Sequence, residues 1–316
     1  MNLPLSIKNK IESKLENIDL TQLKKVSFEL SNRYLNKSGK GDPLIINELD
    51  ALVYASIRMP ATYGVCYEVL EHVKEFFDFD IDDVVDIGSG TGSASFASFD
   101  IFRPKKIMCL ETNPFMRKVG EYLFKDEEIN DAASYIEFDL NDGLNTCGDL
   151  LVSSFVLNEL SQSDREKAII DMFNHTNKVL VIIEPGTPKG FQIIKEVRKI
   201  LLDKGGYIIA PCPHMNKCPI EENDWCHFSS RISRSKLHKL LKEGDAPFED
   251  EKYSYIAISK LECHRAENRV MRHPIINKGF VNLEVCSSDG YKKVTITRKE
   301  KDKYKMAKKL KVGDTF

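Results

Sequence analysis

The sequence has no long run of apolar residues. No stretch approaches the ~18–20 consecutive apolar residues that a membrane-spanning helix requires, and the opening MNLPLSIKNK lacks the apolar block of a secretory signal. The first twenty residues contain no Arg and already carry Glu12, Glu16 and Asp19, which disfavours mitochondrial targeting. We therefore expect a soluble, cytoplasmic protein with no membrane partner.

Cysteine is too scarce for a disulfide scaffold, with 8 among 316 residues. The content of 42% hydrophobic and 30% charged residues is that of a globular protein and excludes a disordered or fibrous one. The length exceeds the ~100–200 residues of a usual domain, so we expect one large domain with appendages, or two domains.

Acidic residues are scarce in only one segment of the chain. The formal net charge is −2, but residues 265–312 contain 14 Lys and Arg against 5 Asp and Glu, and the rest of the chain is acidic. A basic segment of this kind is either a contact for a polyanion or a solvated lysine-rich surface.

Hydrophobic spacing predicts helices first and a parallel sheet afterwards. Leu23, Val26, Leu30 and Tyr34 recur at helical intervals, and further helices are expected at about 43–58 and from Val65 to residue 76. Strands are predicted at 83–88, 106–111, 135–140, 149–156 and 178–185, with helices at 92–101, 114–124, 162–175 and 188–203. A strand at 205–212, a Cys-rich loop to about 229, a short helix through Leu237 and a strand at 252–259 should follow. The turn SSDG predicts a hairpin at the C-terminal end, because Asp289-Gly290 favours one.

A glycine loop follows the first predicted strand in the segment DIGSGTGS. Gly88, Gly90 and Gly92 lie at a strand-to-helix turn, where bare backbone N–H groups can approach a nucleotide. The dinucleotide fingerprint G-x-G-x-x-G does not match, since the third glycine comes one position early. Together with Asp86, the spacing resembles motif I of class I S-adenosylmethionine-dependent methyltransferases. Glu111, at the end of the second strand, could accept both ribose hydroxyls.

The roles of three further residues near this loop stay open. Asp139, near the end of the third strand, could line the pocket or be a turn residue. After the fourth strand the chain lacks the (D/N)-P-P-(Y/F) motif of amine methyltransferases, and Asn158 and Glu159 are polar but could equally cap a helix. No catalytic base can be named, although methyl transfer can proceed largely by positioning.

Cys212, Cys218 and Cys226 lie in one loop, with five and seven residues between them. Three thiols so close together indicate a metal, and the fourth ligand must come from His214, His227, Cys263 or Cys286. Zinc and a [4Fe–4S] cluster both suit such a site. Independent thiols are the alternative here and the expected state of Cys66, Cys109 and Cys147.

DIGSGTGSASFA, APCPHMNKCP followed by WCHFSSR, the upstream RMPATY and the later VNLEVCSSDG together resemble the methyltransferase-like family of the small ribosomal subunit. That family includes mitochondrial small-subunit assembly factors and bacterial proteins regarded as ribosomal RNA methyltransferases. The resemblance extends from about residue 58 to 298.

The resemblance implies an α/β fold of class I, Rossmann-like, in three parts. These are an N-terminal helical region at 1–80, a methyltransferase-like domain at 81–264 with the Cys-rich insertion at 211–229, and a small basic β-element at 265–316 that contacts RNA. It implies S-adenosylmethionine bound by Asp86, Gly88, Gly90, Gly92 and Glu111. It also implies a [4Fe–4S] cluster, with zinc as the alternative, on Cys212, Cys218, Cys226 and Cys286.

We therefore expect a monomeric methyltransferase acting on RNA of the small ribosomal subunit. The alternative is an assembly factor that binds RNA and keeps the cofactor pocket without transferring a methyl group. A radical enzyme is disfavoured, because its usual C-x3-C-x2-C triad is not the spacing seen here. The expected phosphate contacts are Lys292, Lys293, Arg298, Lys299, Lys301, Lys303 and Lys305, with Arg231 and Arg234 as further candidates.

Overall fold

The N-terminal part of the chain is helical, as the hydrophobic spacing predicted. The computed structural model describes residues 2–37, 43–221, 223–242 and 244–316. Its first helices are α1 (Leu5–Leu15), α2 (Leu20–Lys37), α3 (Glu48–Ile57) and α4 (Met59–Phe76). Leu23 and Leu30 on α2 are buried. Helix α3 begins later than predicted because the Asn47 side chain caps it, accepting a hydrogen bond from the Asp50 N–H at 2.8 Å.

A large sheet with crossover helices forms the centre of the molecule. Strands β1 (Asp83–Ile87), β2 (Lys106–Glu111), β3 (Ala133–Glu137), β4 (Gly148–Ser154) and β5 (Thr176–Pro185) are parallel. Four helices connect or follow them: α5 (Ser93–Phe102), α6 (Pro114–Phe124), α7 (Gln162–His175) and α8 (Pro188–Asp203). These are the strands and helices that the sequence predicted, except that β3 ends earlier and leaves Asp139 beyond the strand.

The sheet is completed by antiparallel strands on either side of an insertion. β6 (Tyr207–Ala210) comes before the Cys-rich loop, and β7 (Phe228–Ser233), α9 (Lys236–Leu241) and β8 (Phe248–Ser259) come after it. In the described residues the order is β3-β2-β1-β4-β5-β8-β6, with β7 paired to the first half of β8. Strand β7 was not predicted, and β8 begins earlier than expected.

Alternate residues of each central strand face two different cores. Val84 packs with the N-terminal helices and α5, while its neighbour Val85 packs with α7 and α8. Because both faces are covered, the strands contain near-continuous apolar runs, which made them recognisable in the sequence. Among the described residues, no helix has the length and apolar character that crossing a membrane would demand.

The C-terminal residues form a second, small sheet. It contains β9 (Asn268–Val270), β10 (Ile275–Asn277), β11 (Phe280–Ser287) and β12 (Gly290–Thr297), and α10 (Lys301–Ala307) packs on it. The predicted hairpin is confirmed, but its turn differs in detail. Gly290 pairs with Ser287, so the loop is Ser288-Asp289 and Gly290 opens β12 with φ +104°. The proposed three-part division of the chain stays a prediction.

Candidate cofactor cleft, cysteine cavity and basic element

The glycine loop turns at the carboxyl end of β1, between its neighbours β2 and β4. This is the point at which strand order reverses, where open α/β sheets bind their ligands. The N–H of Gly88 donates to the Leu110 carbonyl at 2.8 Å, which holds the loop against β2. Gly88 and Gly90 line a cleft of about 890 Å³.

Two glycines of the loop serve different purposes. A Cβ at Gly90 would meet nothing closer than 3.9 Å, so this residue leaves its backbone open to the cleft. A Cβ at Gly92 would lie 2.8 Å from the Phe124 ring, and Gly92 is not among the residues that line the cleft. Gly92 therefore permits close packing of α5 against α6, whereas Gly90 permits close approach by a ligand.

Glu111 is held in the cleft by backbone donors. Its Oε2 accepts from the Gly90 N–H and its Oε1 from the Asn113 N–H, both at 2.8 Å. Burial raises the pKa of this carboxyl above its usual range, while the two N–H groups act in the opposite direction. A carboxylate fixed beside the glycine loop is a suitable acceptor for a pair of ribose hydroxyls.

Asp139 and Asp86 occupy contrasting positions. Asp139 lines the cleft and caps a short 3₁₀ turn, its Oδ1 accepting from the Asn141 N–H at 2.9 Å. Asp86 is 0% exposed and is not a lining residue. Its Oδ2 accepts from the Ser95 hydroxyl at 2.6 Å, its Oδ1 has no partner among the described residues, and burial raises its pKa to about 7.

The chain bends sharply where β4 ends. Phe155 has φ +63°, a left-handed conformation that a bulky residue seldom adopts. The Asn158 amide supports this bend by donating to the Phe155 carbonyl at 2.9 Å. Phe155, Asn158 and Glu159 all line the cleft. Glu184 of β5, which the sequence did not indicate, is buried, and its Oε1 accepts a hydrogen bond from the Leu157 N–H at 2.9 Å.

The N-terminal helices supply the opposite wall of the same cleft. Tyr34 of α2 and Tyr54 of α3 line it and stack, with ring centroids 5.7 Å apart. Arg58, which opens the segment RMPATY, also lines it and pairs with Glu251 at 3.1 Å. The helical spacing of Tyr34 in the sequence did not indicate this position, because spacing alone does not distinguish a core ring from one that faces a cleft.

The four cysteines that the resemblance singled out lie around one small cavity of about 30 Å³. Cys212, Cys218 and Cys226 come from the loop, and Cys286 comes from β11. Burial raises the pKa of the Cys226 thiol well above its usual range, and the other three thiols raise it further, which reflects their proximity. Burial, with the thiols of Cys212 and Cys218, raises the pKa of Cys286 to about 12. In the described part of the chain, no three His, Cys, Asp or Glu side chains are arranged to hold a single metal ion.

The other candidates for a fourth ligand divide into two groups. His214 lines the cavity, with its Nε2 at 3.5 Å from the Cys286 Sγ and its Nδ1 without a partner among the described residues. His227 and Cys263 are not lining residues, and His227 stacks on Trp225 instead. Cys66 and Cys109 are buried and Cys147 is exposed, away from the cavity.

The predicted phosphate contacts are exposed in the C-terminal element. They are Lys292, Lys293, Arg298, Lys299, Lys301, Lys303 and Lys305. Lys292, Lys293 and Lys305 each lie between 3.3 and 3.5 Å from an acid. Arg231 and Arg234, the further candidates, pair with acids of β8, and Arg231 is also exposed. Arg231 forms a two-point pair with Asp250 at 2.7 and 2.9 Å, and Arg234 lies 2.7 Å from Glu249.

This predominantly parallel α/β sheet, with a glycine loop after β1 and a carboxylate at the end of β2 facing one cleft, has the class I methyltransferase fold. The family model described as mitochondrial small ribosomal subunit Rsm22 matches residues 48–316. The chain belongs to that family, which confirms the resemblance seen in its motifs.

Individual relatives are distant in sequence. The mitochondrial Rsm22-cox11 tandem protein 2 of Schizosaccharomyces pombe is 26% identical over 325 residues, covering 84% of this chain and 43% of its own length. This chain thus spans less than half of that relative. The mitochondrial ribosome assembly protein METTL17 of Homo sapiens is 25% identical, covering 95% of this chain and 70% of its own length. Among solved structures, magnesium protoporphyrin IX methyltransferase from Synechocystis PCC 6803 is 13% identical with a TM-score of 0.44, covering 83% of this chain and 100% of that one.

The predicted cytoplasmic location is wrong. The relatives from fission yeast, human and Saccharomyces cerevisiae are mitochondrial proteins. The prediction relied on the composition of the first twenty residues. A short terminal segment says little about the compartment in which the members of a family work.

Proposed function

We propose that this chain is an S-adenosylmethionine-dependent methyltransferase that acts on RNA of the small ribosomal subunit during its assembly. The observation that carries this proposal is the single cleft, which joins the glycine loop and Glu111 at one end to the polar end of β4 at the other. Membership in the Rsm22 family supports the ribosomal partner, and the human relative is by name a ribosome assembly protein.

Three residues would hold the cofactor. Gly90 leaves open space beside its backbone for the methionine part, Gly88 lines the same cleft, and Glu111 would accept hydrogen bonds from both ribose hydroxyls. Asp139 would border the adenine end, because it follows β3 beside Glu111. Asp86 and Gly92 would act indirectly, since they shape the loop from behind. The bound cofactor supplies an electrophilic methyl group, and the cleft orients the acceptor toward it.

A second candidate function is an assembly factor that binds the cofactor and RNA without transferring a methyl group. The end of β4 favours this candidate, because no (D/N)-P-P-(Y/F) motif is present there. The Asn158 amide instead supports the bend by donating to the Phe155 carbonyl. The names of the human and Saccharomyces cerevisiae relatives refer to assembly and not to catalysis.

Labelled methyl transfer distinguishes these candidates. Small-subunit particles from cells lacking the gene should take up labelled methyl at one nucleotide when incubated with the chain and S-adenosylmethionine. Glu111→Ala should weaken S-adenosylhomocysteine binding roughly 100-fold, because two hydrogen bonds to a charged acceptor are lost. Glu137→Ala is the matched control, since Glu137 is the register partner of Glu111 on β3 but faces Arg117 outside the cleft. Cofactor and particle binding without incorporation would favour the second candidate.

We further propose that Cys212, Cys218, Cys226 and Cys286 hold a [4Fe–4S] cluster. An all-thiolate set suits either this cluster or zinc, and the family resemblance favours the cluster. The shared cavity and the unpartnered Nδ1 of His214 beside it fit a group that is bound there. Such a group would join the loop to β11 and thereby fix the basic element on the main sheet.

Metal analysis tests the cluster. Protein purified without oxygen should contain about four irons and four sulfides per chain. Cys286→Ser should lower both contents, whereas Cys263→Ser should leave them unchanged, because Cys263 is not a lining residue. One zinc without sulfide would overturn the cluster assignment.

A further inference from the structure

The cleft has a second half that the cofactor residues do not use. Its glycine-loop end is bounded by Gly88, Gly90 and Glu111, but the cleft continues between the end of β4 and the helices α2 and α3. A volume of about 890 Å³ lies near the upper end of the 300–1,000 Å³ typical of ligand pockets. The cleft therefore has room for a second group beside the cofactor.

An aromatic pair forms one wall of this second half. The rings of Tyr34 and Tyr54 are stacked with 26° between their planes. Both residues are only partly buried and both line the cleft. Paired rings at the edge of a cleft are a surface on which a flat, electron-rich ring can stack.

A free acceptor lies across from the aromatic pair. The Glu159 carboxylate has no hydrogen-bond or ion-pair partner among the described residues. Glu159 is exposed, with its accessible surface in the cleft, and its partial desolvation there, together with Glu111, raises its pKa to about 7. An acid in these surroundings is stabilised by a ligand that donates a hydrogen bond to it.

A cation borders the same space. Arg58 lines the cleft, and the guanidinium group pairs with Glu251 at 3.1 Å while remaining partly exposed. Stacking rings, a free carboxylate and a neighbouring guanidinium match the parts of a nucleotide, which has a flat base, donor groups on the base edge and an anionic phosphate.

We propose that the half of the cleft bounded by Tyr34, Tyr54 and Glu159 binds one unpaired nucleobase that carries an exocyclic amino group. The base stacks on the aromatic pair, its amino group donates to the Glu159 carboxylate, and Arg58 attracts the attached phosphate. The identification of RNA as the source of the base rests on the proposed function. Binding of the base does not require methyl transfer and can be measured without it.

Nucleotide titration tests this site. The protein is first saturated with S-adenosylhomocysteine, so that adenine cannot enter the cofactor half, and then titrated with AMP, CMP or UMP in a calorimeter. AMP and CMP should bind about tenfold more tightly than UMP, since uracil offers no amino donor to Glu159. Glu159→Gln should remove this preference, because an amide both accepts and donates.

The aromatic wall is tested by matched variants. Tyr54→Ala should weaken AMP and CMP binding about tenfold or more, and Tyr54→Phe should retain most of it, because stacking needs the ring and not the hydroxyl. Tyr67→Ala is the control, since Tyr67 belongs to a second tyrosine pair that does not line the cleft. S-Adenosylhomocysteine affinity reports in each case that the variant is folded.

The possible outcomes separate this inference from the proposed function. Protein that binds S-adenosylhomocysteine and small-subunit RNA but no mononucleotide would overturn the nucleobase site and leave the proposed function standing. Equal binding of UMP would refute the role given to Glu159. A Tyr54→Ala variant that loses cofactor affinity as well would assign the aromatic pair to the cofactor half and also overturn the inference. Failure to bind S-adenosylhomocysteine at all would instead contradict the proposed function.

Discussion

Asp86 is a buried acid whose single hydrogen bond does not compensate for the loss of water. The Ser95 hydroxyl donates to one oxygen, while the other has no partner among the described residues. Burial is the main cause that raises its pKa to about 7, and Glu111 adds to the effect. The folded chain therefore retains a proton on this carboxyl at pH values where an unfolded chain has released it.

This difference predicts how stability depends on pH. Between about pH 4 and pH 7 the folded state binds more protons at Asp86 than the unfolded state, so the free energy of unfolding should fall as pH rises. Asp86→Asn should remove the part of this decline that comes from Asp86. Between pH 4 and pH 8, the free energy of unfolding of the variant should therefore rise by about 2–4 kcal/mol relative to that of the parent. Urea unfolding at a series of pH values measures it.

The control for this prediction is Asp203→Asn, at the exposed end of α8. It should leave the pH profile unchanged. Parallel profiles for Asp86→Asn and the parent would mean that Asp86 titrates alike in the folded and unfolded chain, and that its burial has no energetic consequence.

Single residues also show where sequence reasoning stops. The spacing of Gly88, Gly90 and Gly92 correctly indicated the strand-to-helix turn, because that turn is a local feature. It could not reveal that Gly92 lies against Phe124 and not against a ligand, since Phe124 comes from a different helix. Glu184 and Tyr54 were missed for the same reason, because only the folded chain brings strand β5 and helix α3 to the same cleft as the end of β4.

Strand β12 places two adjacent lysines on opposite faces of the small sheet. Side chains alternate along a strand, so Lys292 shares its face with Val294 and Ile296, which pack in the small core. Lys293 shares the other face with Thr295 and lies opposite Glu284 of β11, with its Nζ 3.5 Å from Oε1. Lys293 is also the more exposed, with 78% of its side chain accessible against 44% for Lys292.

The two lysines should therefore differ in their contribution to RNA binding. Lys293→Gln should reduce the slope of log affinity against log salt by about one, as expected for the loss of one phosphate contact. Lys292→Gln, which removes the same charge from the neighbouring position, should change the slope less. Filter binding of small-subunit RNA at several salt concentrations measures both slopes, and equal slopes for the two variants would contradict a one-sided interface.

The sequence predicted most of the strands and helices of the central sheet. The parallel strands and the helices α6, α7 and α8 have strong periodicity or apolar runs because the sheet is covered on both faces. Strand β7 gave no such signal, since four of its six residues are polar and Ser230 takes one of its three buried positions. Its pairing with the long strand β8 is a tertiary feature that local pattern does not encode.

Arg269 connects three parts of the molecule that are far apart in sequence. It is 1% exposed and comes from β9. Its Nε donates to the Pro211 carbonyl at the start of the Cys loop at 3.0 Å, and its Nη1 donates to the Gly313 carbonyl near the C-terminal end at 2.7 Å. The guanidinium also lies 5.9 Å from the Phe76 ring of α4. A charged group this deeply buried is costly unless its partners stay in place.

We expect Arg269→Lys to loosen the C-terminal element without unfolding the central sheet. Lysine keeps the charge but cannot reach two carbonyls in a fixed fork, so one carbonyl loses its donor, at a cost of about 2–4 kcal/mol. Hydrogen exchange should detect this loosening at the N–H groups of Val270 and Gly313, which donate to the carbonyls of Asp314 and Val270, respectively. Their exchange should accelerate roughly 30-fold or more, while the amide of Val152 in β4 should keep its protection.

Arg298→Lys provides the comparison, because it makes the same change of side chain at an exposed position of the same C-terminal element. Its amide exchange should match that of the parent. If Arg269→Lys accelerated exchange equally in β4 and in β9, the small sheet and the central sheet would open as one cooperative unit. The basic element would then owe its position to the whole fold, and not to the buried contacts of one arginine.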